Sequence, residues 1–450
     1  MITFVTIIVL ILVVILNHFL FKKLINHLTL YAFSWAFYII LYDLRLMNYP
    51  DIRPVTWFVI LITFFLFVLG IATVFLARKV FNKNNDVFAE KKEVNLVFFK
   101  DGGQILKLTI YIFGLIGLYA AYHHWMELIA KFGSITKVLL NANVIYGMRV
   151  SGEFGGSLPY LYTVAYVGVF FAAVYTAHKE KLTFAAIIPM FAVILKDTAS
   201  VGRTGILFAF LLFFLTFFFT RYSMLTIKIE KKRNYKGLII GALLIIIIAV
   251  SAVTLIKTFR GQIETYTATS RSLSKFKNSL FISPSMYLYF SSNPVALNRY
   301  LISEDENLMI GENTFLTFYN FISKFDVIRH PNFYPKGYYV PMWTNQATYL
   351  REIHADFGYF GMFIVPYLLG LICTFWWFRY FETHELKYLI LYSFMNVIVS
   401  FSIMQMISRM AGFWIALIIL LLIVPIIQIL SNYNFNRRKS KNEILTLARK

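Results

Sequence analysis

Apolar residues in this chain fall in long runs divided by short polar stretches. A helix needs roughly 20 mostly apolar residues to cross a bilayer. Runs of that kind lie at 2–21, 28–44, 55–77, 106–124, 158–177, 183–198, 203–220, 237–256, 355–378, 388–404 and 411–430. They predict an all-α polytopic membrane protein with about 11 transmembrane helices. The run at 183–198 is short and ends in Lys196 and Asp197, and 388–404 is the other weak span. The gap at 257–354 predicts one large loop holding short helices, within a single transmembrane domain over 1–450. That loop contains FISPSMYLYFSSNPVALNRYL, which reads as a short amphipathic or re-entrant element. Before the fifth run, Leu128, Ile129, Phe132, Ile135, Val138 and Leu139 recur at helical spacing, so 125–150 reads as an interfacial helix. No internal repeat or linker divides the chain.

Composition agrees with the pattern. The chain is 59% hydrophobic and 14% charged, whereas soluble domains carry about a quarter charged residues. The net charge of +21 would suit nucleic acid in a soluble protein; here it reads as basic cytoplasmic loops. The single cysteine, Cys373, allows neither an internal disulfide nor a thiolate metal site. The eight histidines show no HExxH spacing, so the sequence offers no catalytic metal set.

Charge also predicts direction. The first run has no basic start and no small-residue cleavage site, and Lys22 and Lys23 follow it. A retained first span with the N-terminus outside is expected, and a cytoplasmic C-terminus after the last span. With that orientation, 25 of the 43 Lys and Arg fall inside, eight in short outer loops and ten in the long outer loop. Inside, Lys outnumbers Arg by 18 to 7, while outside Arg leads by 10 to 8. A planar guanidinium grips carboxylate or phosphate bidentately, so the outer excess points to a phosphate-bearing ligand. Interface anchoring is the plainer alternative.

Four places put charge near the outer ends of spans. In KDTASVGRTGILF, Arg203 and Thr204 open the seventh span, where free backbone N–H groups and an Arg would form an anion site. In IKTFRGQIETY, Lys257 and Arg260 leave the eighth span. In NQATYLREIHADFGYFG, Ala347, Arg351, His354 and Gly358 form one stripe if the segment is one helix. Small residues would then let a ligand approach Arg351 and His354. His354 suits proton transfer near neutral pH, with Glu352 and Asp356 on the neighbouring face as substitutes. The fourth place joins Arg149, before the fifth span, and Arg409, in the turn between the last two.

With these residues in view, the chain resembles oligosaccharide repeat-unit polymerases of the Wzy (O-antigen polymerase) type. The resemblance covers most of the chain. It rests on the span count, one large late loop, GRT opening a mid-chain span, and ATYLREIHADFGYFG leading into the span after the loop. It implies an enzyme on the outer face of the bacterial cytoplasmic membrane. Such an enzyme moves a glycan from undecaprenyl pyrophosphate onto the non-reducing-end sugar of an incoming lipid-linked repeat unit. O-antigen, capsule or exopolysaccharide would be the product. The resemblance further implies no metal, no cofactor and no nucleotide sugar, with a flippase and a chain-length regulator as partners. Arg203, Arg260, Arg351 and His354 stand in places comparable to the family's catalytic groups. Arg149 and Arg409 have no residue-by-residue match. They join Thr204, Tyr349, Glu352 and Asp356 as expected substrate contacts. Several forked arginines would hold the pyrophosphate, and His354 would assist the acceptor hydroxyl in an inverting displacement. Two rival readings remain: a ligase of the related O-antigen ligase group, and a flippase or transporter of lipid-linked sugars.

Overall fold

The computed structural model describes residues 2–83, 99, 101–150, 158, 160–225, 268–276, 283–303, 308–332 and 336–447. The helices are α1 (Ile2–Leu20), α2 (His27–Asp43), α3 (Pro54–Val80), α4 (Gln104–Phe132), α5 (Ile135–Leu140), α6 (Ala142–Val150), α7 (Val164–Lys179), α8 (Phe184–Ala199) and α9 (Thr204–Leu225). Short helices α10 (Arg271–Ser274), α11 (Pro284–Ser291), α12 (Asn293–Ser303) and α13 (Leu316–Ile322) follow. A small antiparallel hairpin pairs β1 (Tyr338–Tyr339) with β2 (Trp343–Thr344). The chain ends in α14 (Tyr349–Thr383), α15 (Leu386–Phe401) and α16 (Ala411–Leu447).

Among the described residues the architecture is all-α apart from that hairpin and an isolated bridge between Met47 and Thr269. Among the described residues, seven helices are long and apolar enough to cross a membrane: Ile2–Leu20, Pro54–Val80, Gln104–Phe132, Leu161–Lys179, Thr204–Met224, Tyr349–Thr383 and Ala411–Arg437. These make the chain a membrane protein. Every expected span except 237–256 coincides with a helix, and 237–256 lies outside the described residues. The helices at the three remaining expected spans are short. α2 has 17 residues and α8 and α15 have 16 each. At 1.5 Å per residue these reach about 24–26 Å, less than the roughly 30 Å of a hydrocarbon core.

The segment at 125–150 is helical but is not one helix. α4 continues through Phe132 and stops at Gly133, which has φ 91°. Ser134 then caps α5 by accepting from the Lys137 N–H, and α6 follows after Asn141. The expected periodicity therefore spans a break. Leu128, Val138, Ala142 and Ile145 still meet Ala199, Val201 and Ile206 in one buried cluster.

The chain divides into two compact units. The first comprises Met1–Asn85, Gly261–Trp376 and Met395–Phe413. Its α2 begins with a capping box, in which the Asn26 side chain accepts from Leu28 N and Thr29 N and the Thr29 hydroxyl accepts from Asn26 N. Such a cap is worth about 1 kcal/mol. α3 begins with Pro54, whose missing N–H is no loss in a first turn.

α3 and α14 cross backbone to backbone. A Cβ on Gly70 would lie 2.1 Å from the Tyr367 carbonyl oxygen, and one on Gly370 would lie 2.1 Å from that of Phe67. Each glycine thus seats the other helix. Small residues at such crossings are how membrane helices associate without a hydrophobic drive between them. His27 Nε2, 2.9 Å from the Thr374 hydroxyl, ties α2 to the same stretch of α14.

α11 and α12 cover the ends of α2 and α3. The Tyr287 hydroxyl donates to the Leu41 carbonyl, Tyr49 and Ser291 hydroxyls meet at 2.5 Å, and Asn298 Oδ1 accepts from Arg53 N and Thr56 Oγ1 at 3.0 and 2.9 Å. Burial pushes the Tyr49 and Tyr287 phenols above the ordinary tyrosine value, so both stay protonated.

The second unit comprises Asp86–Arg260, Trp377–Phe394 and Trp414–Lys450. Its core is α4, α7, α8 and α9. α7 is buried along nearly its whole length, from Ala165 to Ala177. The Trp125 indole donates to the Leu195 carbonyl at 2.8 Å, joining α4 to α8.

Candidate functional site

The first unit gathers several of the expected residues at the start of α14. Tyr349 fixes that start. Its N–H donates to the Ser402 carbonyl at 2.8 Å, and its hydroxyl meets that of Tyr31 at 3.0 Å. Leu350 and Ile353 are fully buried and seat the turn. Glu352 and Asp356, four residues apart, then share one face.

Glu352 is 2% exposed and lies between two guanidinium groups. Its Oε1 is 3.7 Å from Arg351 Nη2 and 3.6 Å from Arg409 Nη1, and its Oε2 accepts from the Met406 N–H. Arg351 is 1% exposed; its Nη1 donates to the Lys336 carbonyl at 3.0 Å. Arg351 Nε has no hydrogen-bond partner among the described residues. Arg409, from the 3-10 turn Ile407–Arg409, donates to Asn313 Oδ1 and to the Asn332 carbonyl at 3.2 Å. A buried charge of either sign is tolerable only when paired and hydrogen-bonded, and here two cations share one anion.

Asp356 accepts four hydrogen bonds. They come from Asn313 N at 2.8 Å, Asn313 Nδ2 at 3.0 Å, Thr314 N at 2.6 Å and Thr314 Oγ1 at 2.7 Å. Its lone pairs are engaged in pinning the loop to α14. Arg409 orients the same Asn313 from its other side, so Arg409, Asn313 and Asp356 form one chain of polar contacts. Glu312 folds the rest of this loop. It accepts from Met309 N and Asn332 N at 2.9 and 2.6 Å and pairs with Arg329 at 3.1 Å.

His354 is half-buried on the other side of the turn. Its Nδ1 is 2.8 Å from the Tyr300 hydroxyl of α12, and the Tyr359 ring meets it edge-on at 4.5 Å. If Tyr300 accepts from Nδ1–H, the remaining nitrogen is the basic one; if Tyr300 donates, it is not.

The expected stripe from Ala347 to Gly358 is not a single helical face. Ala347 precedes the helix, and Gly358 has φ 63° and ψ −161°, a break inside α14. That conformation is essentially confined to glycine. Arg351 and His354 therefore sit on a two-turn piece of helix, separated by the break from the lipid-length remainder.

The second unit holds the expected residues of the mid-chain span. α9 starts at Thr204, directly after Arg203, both partly buried. The carboxylate of Asp197, at the end of α8, already lies against this start. A Cβ on Gly205 would come 2.2 Å from Asp197 Oδ2 and 2.4 Å from the Tyr166 hydroxyl. Asp197 Oδ1 accepts from Lys196 Nζ at 3.1 Å, and Lys196 Nζ also lies 3.8 Å above the Tyr162 ring. The positive end of the α9 dipole is thus matched by a protein carboxylate. Arg149 is on α6, but its side chain lies outside the described residues, as does all of Arg260.

Asn313, Thr314, Tyr300 and Glu312 were not among the residues singled out by sequence. Asn313, Thr314 and Tyr300 lie more than 40 positions from Asp356 and His354, Glu312 serves its own loop, and no local spacing marks any of them. Among the described residues no three His, Cys, Asp or Glu side chains are placed to hold a metal ion. No protein-family model matches the chain, and no curated protein or solved structure matches it.

Proposed function

We propose that this chain is a membrane glycosyltransferase that polymerises lipid-pyrophosphate-linked oligosaccharide repeat units, working on the outer face of a bacterial cytoplasmic membrane. The supporting observation is the cluster at the start of α14, where Arg351 and Arg409 converge on Glu352, with half-buried His354 on the same short stretch of helix. Each guanidinium also holds a neutral loop carbonyl, that of Lys336 or Asn332. A pyrophosphate, with concentrated negative charge, would compete well for those same donors. In this reading Arg351 and Arg409 stabilise the leaving pyrophosphate, and Glu352 holds the two forks in register. Arg203, Thr204, Arg149 and Arg260 are proposed as further phosphate contacts. His354 accepts the proton of the acceptor hydroxyl, and Tyr300 fixes its ring and tautomer. Asp356 acts as a positioning residue for Asn313, and Tyr349 as an anchor of the helix start.

The displacement would form a bond from the acceptor oxygen to the anomeric carbon, break the bond to the phosphate oxygen, and invert configuration. The carrier leaves as polyprenyl pyrophosphate. The fall of 25 of the 43 Lys and Arg in the expected inner segments supports the assigned side. The test is reconstitution of the full chain with lipid-linked repeat units alone, with and without chelator. Polymer formed in both cases supports the reading. Transfer only to a different acceptor would make it a ligase, and transbilayer movement without polymer would make it a transporter.

A further inference from the structure

α13 and the turn after it carry Ile322 and every aromatic ring except that of Tyr319 on the wrong face for a water-bathed loop. Phe315, Phe318, Ile322 and Phe325 recur at spacings of three and four, with Phe321 beside them. All five are exposed, Phe321 at 62% and Phe325 at 65%. Ile310 and Val327 extend the same exposed set. The inward side is small by comparison: Leu316 and Ser323 are buried, and the Tyr319 hydroxyl donates to the exposed Ile310 carbonyl at 2.7 Å. A soluble segment of this pattern would turn over. This one is held by the four hydrogen bonds from Asn313 and Thr314 to Asp356.

That clamp also sets its level. Asp356 lies four residues before Phe360, which is 75% exposed and begins the outward-facing row Phe360, Ile364, Leu368 and Phe375 of α14. Only four residues of chain, across the break at Gly358, separate the clamp from the lipid-length part of α14, so α13 starts close to where that part starts. Amphipathic helices at a membrane surface bury their apolar face about 5–10 Å into the headgroup and acyl boundary. Lys324 is exposed beside the apolar row, as a cation facing anionic headgroups would be, while Arg329 turns to Glu312. The ring of Phe315 approaches Gly311, and so does that of Phe357 just before the helix break, making the apolar surface continuous with the span.

We infer that residues 310–327 form a membrane-seated element, whose partner is the interfacial zone of an anionic bilayer leaflet. The clamp at Asp356 holds the loop down on the lipid while keeping it attached to the Arg351–Glu352–Arg409 cluster. This inference concerns the bilayer and stands whether or not the chain polymerises glycans.

The full chain offers a clean test, because its one cysteine, Cys373, is 0% exposed. Phe321→Cys and Phe325→Cys, each labelled with an environment-sensitive fluorophore, are compared with Arg329→Cys in proteoliposomes containing anionic phospholipid. Quenching by lipids spin-labelled near the headgroup is expected to be about threefold or more stronger at 321 and 325 than at 329, with aqueous iodide showing the reverse order. Iodide quenching at 321 and 325 as strong as at 329 would overturn the inference. Protection from both quenchers would overturn it too and point to a second copy of the chain covering this face. Two labelled positions keep the result readable if one variant misfolds.

Discussion

The start of α14 and the start of α9 look alike in sequence. Each brings an Arg, a carboxylate and small residues to the beginning of a span. Their structures differ in who holds the carboxylate. At α14, Asp356 accepts four hydrogen bonds and Glu352 sits between two guanidinium groups. At α9, Asp197 pairs with its neighbour Lys196 through one oxygen, and its other oxygen lacks a hydrogen-bond partner among the described residues. One region is a network reaching across a loop; the other is a local packing contact between adjacent helices. A network can be rearranged by a competing anion, whereas a packed contact resists it.

The largest effect should come from Asp356→Ala. It orphans four donors, two of them backbone, and should cost about 3–5 kcal/mol. Asp197→Ala should cost about 1–2 kcal/mol, since it breaks one ion pair and opens a small gap. Thermal unfolding of the purified variants in detergent measures both, and equal losses would abolish the distinction.

Next come the arginines. Arg351→Lys and Arg409→Lys should each lower polymer formation about 10- to 100-fold, with membrane insertion unchanged, because a point charge cannot replace a fork. Arg203→Lys should lose less, about tenfold, because Asp197 already matches the helix end. Polymer length on gels after reconstitution reports this; normal polymer from both Arg351→Lys and Arg203→Lys would rule out bidentate phosphate recognition.

The two glycines separate steric from conformational cost. Gly205→Ala pushes a methyl into Asp197 and Tyr166 and should destabilise by about 1–3 kcal/mol. Tyr166→Phe should relieve part of that loss, which a double-mutant cycle would reveal. Gly358→Ala meets nothing within 4 Å, so its cost should be backbone strain alone, about 1–3 kcal/mol, with no rescue by neighbours.

Smallest is Tyr300→Phe. Losing its bond to His354 should slow polymerisation about fivefold, near 1 kcal/mol, with the fold intact. His354→Ala should slow it further. Full rate from His354→Ala across pH would remove His354 from the chemistry.

Much of the helical framework was legible because lipid imposes one rule on every span. The runs at 2–21, 55–77 and 355–378 match helices closely, although lengths differ at the ends. Breaks inside a helical pattern were not legible. The periodicity from Leu128 to Leu139 passes over Gly133, and that from Ala347 to Gly358 passes over both the true start of α14 and its break. Periodicity reports a face, not the continuity of the axis behind it. In the candidate site, Arg351, Glu352, His354 and Asp356 were visible because they adjoin a span. The joining of Arg409 to Glu352 needed the fold, since 57 positions separate them. So did Asn313, whose neighbours carry no chemical signature.

The break at Gly358 has a consequence for how this chain could diversify. Upstream of it, nine residues from Tyr349 to Phe357 answer to the loop and its polar ties. Downstream, the helix answers to lipid and to the Gly370 crossing. The non-helical backbone at Gly358 divides the two stretches into two helices across a kink. The upstream piece is in effect an exchangeable cassette: new side chains can be tried there, together with their partners in 309–332, without retuning the membrane span beneath.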